Sequence, residues 1–267
     1  MDLPKIENYL CPQDFTSVQN WGEDWAWLAG GTWLFSEPQP HLKTLVEMQD
    51  LGWSELEISN QEVAIGATCT LKRLQELNHP EYPALEVFKS AISALAASWK
   101  VVNVATVGGN LCLALAVGTL APVMIVLGAK YELINPMLSS RWVEAKDFQT
   151  GIQKTLLQSG EVLRKVVIPA DYLQWQISYD RFGIAATDPA LAIVVVAYHA
   201  PSQRVRIGIG ASVPAPKLLE FDFVPDEQQL EAVMELDWLE DARASSAYRC
   251  HLTKVLVERS LKALVNF

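Results

Sequence analysis

The sequence predicts an α+β protein with a break near residue 170, and three observations carry that prediction. The first third alternates short apolar runs of strand length with segments whose apolar residues recur at three and four. Further on, a β-branched run, Ile193-Val-Val-Val196, faces Val205-Arg-Ile-Gly-Ile209 across the turn-forming Pro201-Ser-Gln203. Of 267 residues, 50% are hydrophobic and 19% charged, which describes a globular chain long enough for a sizeable core.

The elements follow in order. Trp25-Ala-Trp-Leu28 reads as a strand that stops at Gly30-Gly31, and Lys43–Met48 as another. Leu56–Ile58 and Val63–Ile65 flank Ser59-Asn60-Gln61 as a hairpin. Thr70 caps a helix through Leu71, Leu74 and Leu77, and Pro83 opens a longer one along Leu85, Phe88, Ile92, Leu95 and Ala96. Leu111–Ala129 carries no charge over 19 residues, long enough to span a bilayer. Gly118, Thr119 and Pro122 interrupt it, and neither an aromatic belt nor basic flanks border it, so it reads as a buried helix pair broken near Gly118 rather than a membrane span. Lys130–Ile134, Trp142-Val143 and Val162–Ile168 continue as strands, and Pro169 closes the last. Trp175–Phe182 then leads into the paired runs, giving a second antiparallel sheet. Asp226 caps a helix carrying Leu230, Val233, Met234 and Leu236, and Ser246 caps a final one carrying Leu252, Val255, Leu256 and Leu261.

Charge and motif content exclude several functions. Twenty-one Lys and Arg against 31 Asp and Glu give a net charge of -10, which repels nucleic acid and anionic lipid. Cys11, Cys69, Cys112 and Cys250 are scattered with no CxxC pair, the pattern of reduced thiols in the cytoplasm. The opening Met1-Asp-Leu-Pro-Lys5 has neither a basic nor an apolar leader region, so no targeting segment is expected. His41, His79, His199 and His251 stand apart without metal-ligand spacing, and P-loop, HExxH and GxSxG patterns do not occur. No catalytic residue and no metal ligand is therefore assigned. Gly208-Ile-Gly210 has Val213 where a dinucleotide fingerprint needs a third glycine, so these are sheet or bulge glycines. The carboxylates Glu235, Asp237, Glu240 and Asp241 read as solvated faces.

Two glycine pairs remain as candidate chemistry: Ala29-Gly30-Gly31-Thr32 and Thr106-Val-Gly108-Gly109-Asn110, each after an apolar run. Adjacent glycines let successive amides converge on an anion without Cβ obstruction, and the second pair opens onto a helix N-terminus. A diphosphate held by backbone amides suits a chain with few cations nearby, while a simple turn also accounts for each pair. Trp21, Trp25, Trp27 and Trp33 cluster early; core packing is expected for all but Trp33, which sits beside the first glycine loop.

In this order the motifs resemble the FAD-binding (medium) subunit of molybdenum hydroxylases, the group with the carbon monoxide dehydrogenase and xanthine dehydrogenase flavoproteins. The matching stretches are Tyr9–Phe15, Ala29–Leu34, Ile65–Thr70, NVATVGGNLC at Asn103–Cys112, Leu127–Ala129, Gly160–Pro169, and Tyr248-Arg249 with His251-Leu252. The resemblance implies a two-subdomain, PCMH/VAO-like FAD-binding domain over residues 1–169. A small domain over 170–267 follows, with a three-stranded antiparallel sheet and helices. It implies non-covalent FAD, with the diphosphate on Ala29, Gly30, Gly31 and Thr32 and on the loop of Thr106, Gly108, Gly109 and Asn110. Leu163 corresponds to a flavin-flanking leucine. Arg181 stands where relatives carry a lysine near the flavin, and its charge would stabilise the anionic reduced cofactor; a surface cation on a strand is the other reading. The implied partners are a molybdopterin-containing large subunit that oxidises substrate and a 2Fe-2S small subunit that relays electrons. The chain would deliver them to NAD or another acceptor.

Three positions depart from the pattern. Trp33 replaces the acidic residue after AGGT, Leu115 a serine, and Thr119 an FAD-binding aspartate. Losing two or three polar contacts at roughly 0.5–1.5 kcal/mol each weakens affinity by about one to three decades unless something compensates. The alternative is an FAD-less scaffold subunit derived from the same family.

Overall fold

The first strands, β1 (Asn8–Leu10), β2 (Trp25–Leu28) and β3 (Thr44–Glu47), form a parallel sheet in the order β1-β3-β2. The computed structural model describes residues 3, 5–18, 20–231 and 235–265; Val233 and Met234, expected on the helix after Asp226, lie outside them. β4 (Leu56–Ile58) and β5 (Glu62–Gly66) make the expected hairpin, with the Ser59 hydroxyl donating to the Glu62 carbonyl. α1 (Leu71–Gln75) begins at Thr70, whose hydroxyl accepts from the Arg73 amide. Pro83 opens a 3-10 turn that runs into α2 (Val87–Ala94), so the expected longer helix starts as a tighter coil. The sequence reading contains no helix at α3 (Trp99–Val104), because Val101, Val102 and Val104 suit a strand; the Ser98 hydroxyl, accepting from the Val101 amide, caps it.

The uncharged segment folds as α4 (Val107–Leu113) and α5 (Ala121–Val126), with Gly118 in the turn between them. All of α5 is buried, which explains the missing charge. No helix among the described residues is long and apolar enough to cross a membrane. β6 (Lys130–Ile134) and β7 (Ser140–Glu144) pair antiparallel; α6 (Ala145–Phe148) and a ribbon of β8 (Gln149–Gly151) with β9 (Lys154–Thr155) follow. β10 (Val162–Pro169) then inserts between β5 and β6, completing an antiparallel sheet in the order β4-β5-β10-β6-β7.

α7 (Ala170–Leu173) leads into a second antiparallel sheet: β11 (Gln176–Phe182), β12 (Ala192–His199), β13 (Arg204–Gly210) and β14 (Lys217–Phe221), in sequence order. The sequence predicts three strands here and the structure has four. In Lys217-Leu-Leu-Glu-Phe221 the adjacent Leu218 and Leu219 hide the period of two, and Pro214 and Pro216 read as a loop. β12 is buried on both faces, as its unbroken β-branched run requires: Ile193, Val195 and Ala197 join the core around α5, while Val194 and Val196 pack into the second core. Gly208 and Gly210 are sheet glycines, as expected. A Cβ on Gly208 would stand 2.5 Å from the Pro122 carbonyl oxygen and one on Gly210 2.5 Å from Pro122 Cγ, so both admit α5 onto β13.

α8 (Glu227–Leu230), closed by an Asp226–Gln229 capping box, and α9 (Ser246–Val265) complete the chain. Ser245 rather than Ser246 caps α9, accepting from the Tyr248 amide at 3.3 Å. The apolar face is also rotated from expectation, with Val257 buried and Val255 exposed, beside Leu252, Leu256 and Leu261. α9 carries a fully buried Arg249. Its guanidinium donates to the carbonyls of Leu191 (2.8 Å) and Ala211 (2.9 Å) and to both oxygens of Asp241 (2.9 Å). Asp241 keeps a solvent-exposed side, as expected, but it is also the counter-charge of Arg249, which ties α9 to the ends of β12 and β13.

Partial burial opposes ionisation of Asp241, but hydrogen bonds from Arg243 and Arg249 outweigh it and hold the carboxyl well below its ordinary 3.8. Because the folded value is depressed, the pair stabilises the protein above the unfolded value and is lost as pH falls through the folded one. Asp241→Asn is expected to flatten the acid limb of the stability profile below about pH 4, measured by urea denaturation from pH 2 to 7. Asp241→Ala, which leaves the buried guanidinium two carbonyls but no counter-charge, is expected to cost about 1–3 kcal/mol at neutral pH.

Candidate functional site

β2 ends in the first glycine loop. Gly31 has φ +65°, and a Cβ on Gly30 would lie 2.1 Å from the Val104 carbonyl oxygen, so the loop is pressed backbone to backbone onto the end of α3. Among the described residues the amides of Ala29, Gly30, Gly31 and Thr32 donate to no protein acceptor, while the Gly31 carbonyl accepts from Phe35 N at 2.9 Å. Successive unengaged amides around a left-handed residue form an anion-binding concavity. Trp33 follows on the exposed turn, 39% accessible, outside the Trp21–Trp25–Trp27 ring cluster.

The second loop is built differently. Thr106 caps α4, its hydroxyl accepting from Gly109 N at 3.1 Å and its carbonyl from Asn110 N at 3.0 Å. Gly108 N donates to the Ala67 carbonyl at 2.8 Å, and a Cβ on Gly108 would meet Ala67 Cβ at 2.8 Å. These amides are engaged within the fold. The loop offers instead an open Cα face at Gly109, where an added Cβ would meet only Thr106 Oγ1 at 3.0 Å.

Between the loops lies a slot of about 110 Å³, onto which Ala29, Gly108, Gly109 and Leu163 all open. Leu163 comes from the start of β10, next to a register shift between Leu163 and Lys165 that breaks the pairing with β6. The other walls include Trp27, which the sequence placed in core packing, and Met48, Cys112, Leu157 and Glu161, to which it gave no cofactor role. Trp27 carried a signal, since it lies on β2 two residues before Ala29, where the glycine loop begins. Burial pushes the Cys112 thiol up to about 12. Glu161 accepts two bonds from Arg141, at 2.9 and 2.7 Å, and one from Gln158 N at 2.8 Å; chiefly the Arg141 bond holds its carboxyl below the ordinary value.

Thr119 and Arg181 do not line the slot. Thr119 is 2% accessible in the turn before α5. Arg181, on β11, donates to the carbonyls of Ala186 and Asp188. Thr68 Oγ1, Asn110 Oδ1 and Thr119 Oγ1 are buried without a hydrogen-bond partner among the described residues. An open amide run beside an apolar slot fits a dinucleotide, with the anion at the loop and a planar ring at the slot. Among the described residues no group of His, Cys, Asp and Glu is placed to hold a metal ion.

Fold and site thus define an α+β dinucleotide-binding protein. A family model for the FAD binding domain in molybdopterin dehydrogenase matches residues 6–171, and the chain belongs to that family, whose cofactor is FAD. Xanthine dehydrogenase from Oryza sativa subsp. japonica is 30% identical over 122 residues, 43% of this chain and 9% of that protein. The carbon monoxide dehydrogenase medium chain of Afipia carboxidovorans is 29% identical over 181 residues, 66% of this chain and 61% of that one. The match therefore spans under a tenth of the plant enzyme's length. Two solved structures share the fold: reconstituted CO dehydrogenase from Oligotropha carboxidovorans (TM-score 0.85, 22% identity, 99% of both chains) and quinoline 2-oxidoreductase from Pseudomonas putida 86 (TM-score 0.83, 23% identity, 100% of this chain and 99% of that one).

Gly30→Ala is expected to destabilise the protein by about 1–3 kcal/mol, because the new methyl meets a backbone carbonyl that cannot rotate away. Gly109→Ala, which meets one hydroxyl, is expected to stay within about 1 kcal/mol of the parent. Urea denaturation of the two variants checks the contrast.

Proposed function

We propose that this chain is the FAD-binding electron-transfer subunit of a molybdenum hydroxylase complex, an oxidoreductase component that works with a molybdopterin-containing large subunit and a 2Fe-2S small subunit and passes electrons to NAD or another acceptor. The observation that carries this reading is the unengaged amide run at Ala29–Thr32 beside a slot onto which Gly108, Gly109 and Leu163 open. FAD, when bound, supplies two-electron transfer chemistry. The chain's own residues bind and orient it. The amides of Ala29, Gly30, Gly31 and Thr32 hold the diphosphate, with Trp33 covering the turn and Thr106 fixing the second loop. The open face of Gly109 admits the cofactor close to the backbone, and Leu163 flanks its ring. Arg181, steadied by the Ala186 and Asp188 carbonyls, places positive charge for the electron-rich cofactor.

The cofactor belongs to a unit over 1–169 and the sheet of β11–β14 with α9 to a unit over 170–267; the reach of the family match, 6–171, supports this division. The four cysteines are thiols, which supports a cytoplasmic site of action.

The test is a visible absorption spectrum of the purified chain, then denaturation and identification of the released nucleotide. A yellow chromophore released as FAD in stoichiometric amount is expected. A protein that stays colourless with excess FAD and its purified partner subunits overturns the redox reading in favour of a scaffold. Gly109→Asp, placing a carboxylate beside the diphosphate, is expected to weaken FAD binding by at least about tenfold, ~1.4 kcal/mol, with an unchanged far-UV spectrum.

A further inference from the structure

The second sheet ends at β11, which pairs with β12 on one side and with no described strand on the other. β11 runs seven residues in unbroken register, whereas the other edge strands of the three larger sheets, β1, β2, β4, β7 and β14, run three to five. An exposed edge is ordinarily blunted by shortness, proline, a bulge or a free charge. β11 has no proline and no bulge, and both of its charges are tied down elsewhere. Asp180 accepts from Ser260 Oγ at 2.7 Å and pairs with Arg259 at 3.2 Å, and Arg181 donates to the Ala186 and Asp188 carbonyls. Among the described residues the backbone of Ile177–Arg181 makes no hydrogen bond outside the ladder with β12.

Along this edge runs a cleft of about 1320 Å³. Ile177 and Tyr179 pack with the core that holds α2, and Phe182 with the core that holds α9, so helices cover both faces of the strand. They also reach past it: Lys89 and Ser90 of α2 and Leu264 at the end of α9 line the cleft with Gln176, Ile177 and Tyr179. The cleft is larger than the ~300–1,000 Å³ of small-molecule sites, and seven strand residues offer about 23 Å of backbone. A second copy of this chain would bring its own α2 and α9 to the edge, and helix would meet helix before the strands came within the ~4.8 Å of a ladder. A single extended arm meets no such obstacle. Lys72 and Lys89 are balanced by Glu76 and Glu86 on the walls, so main-chain pairing and apolar contact, not charge, select the arm.

We infer that β11 is a docking edge for an extended arm of a partner subunit, which adds to the second sheet as a fifth strand. The inference rests on the reading of this chain as one subunit of a complex and says where on it a partner is held. The cleft shares no lining residue with the slot between the glycine loops, so the arm and the cofactor occupy separate places.

The test follows amide hydrogen exchange in the full chain, alone and assembled with the purified molybdopterin-containing and 2Fe-2S subunits. The fast-exchanging amides within residues 176–182 are expected to slow by at least about tenfold in the assembly. Ser90→Trp narrows the cleft from the exposed side of α2. It is expected to weaken assembly by at least about tenfold in sedimentation, with the melting temperature and FAD content of the parent. An assembly in which β11 exchanges as in the free chain overturns the inference and leaves the complex reading intact. A well-folded Ser90→Trp chain that assembles with parent affinity does the same. Protection of β11 in a dimer of the chain alone overturns it in favour of a second copy. Partner subunits that do not bind the chain overturn both readings. The exchange comparison uses the parent chain, so it decides the question even where Ser90→Trp fails to fold.

Discussion

Two close backbone approaches govern the site. Gly30 rests on the Val104 carbonyl, and Gly108 rests on Ala67 while donating its amide to the Ala67 carbonyl. Each brings together segments far apart in sequence at a distance no side chain tolerates. The first pins the end of β2 to the end of α3, where the amides of Ala29–Thr32 have no protein acceptor among the described residues. The second pins the start of α4 to the turn after β5. Together they set the separation of the two loops, and with it the width of the slot. In the two loops glycine acts less by conformational freedom than by the missing Cβ; of Gly30, Gly31, Gly108 and Gly109, Gly31 is the one with a left-handed backbone, at φ +65°.

A second constraint links that site to the rest of the molecule. β10 occupies the centre of its sheet between β5 and β6, supplies Leu163 to the slot, and ends at α7, from which the second sheet departs. α5 fills the space between the sheets, admitted by Gly208 and Gly210, so one continuous core runs from Ile65 through Met124 to Val195. The far face of the second sheet is closed by α9, anchored by the buried Arg249 guanidinium. That charge is matched by Asp241 and by two carbonyls, which is what a buried ion requires to be tolerated.

Much of this was legible in the residues, for physical reasons. Apolar alternation and turn residues placed the β4–β5 hairpin and the β12–β13 pair, and the broken uncharged run placed α4 and α5. What escaped reading were features decided by distant partners. α3 forms because Ser98 caps a valine-rich segment that locally favours extension. β14 forms because β13 offers an edge to a segment lacking alternation. Asp241 resembles any exposed carboxylate until α9 brings Arg249 to it. The same holds at the site: the glycine pairs announced themselves locally, whereas the engagement of the second loop's amides depends on Ala67 and Thr106, which only the fold brings into reach. Motif order carried the cofactor further than spacing did, because spacing alone is equally a description of turns.

On the proposed FAD reading, the departures at Trp33, Leu115 and Thr119 bear on how the cofactor is held rather than where. Among the described residues Asn110 Oδ1 and Thr119 Oγ1 are buried without a hydrogen-bond partner, an arrangement that costs about 1–3 kcal/mol for each atom that stays unpaired. On the same proposed FAD reading, the unengaged amides at Ala29–Thr32 give the phosphates a counterpart that needs no side chain. Replacing a carboxylate by Trp33 also removes negative charge from beside those amides, so the loop attracts an anion more strongly than an acidic sequence would allow. The specific side-chain contacts given up on the polar side are matched by apolar and backbone contacts that substitution alters only through a change of shape.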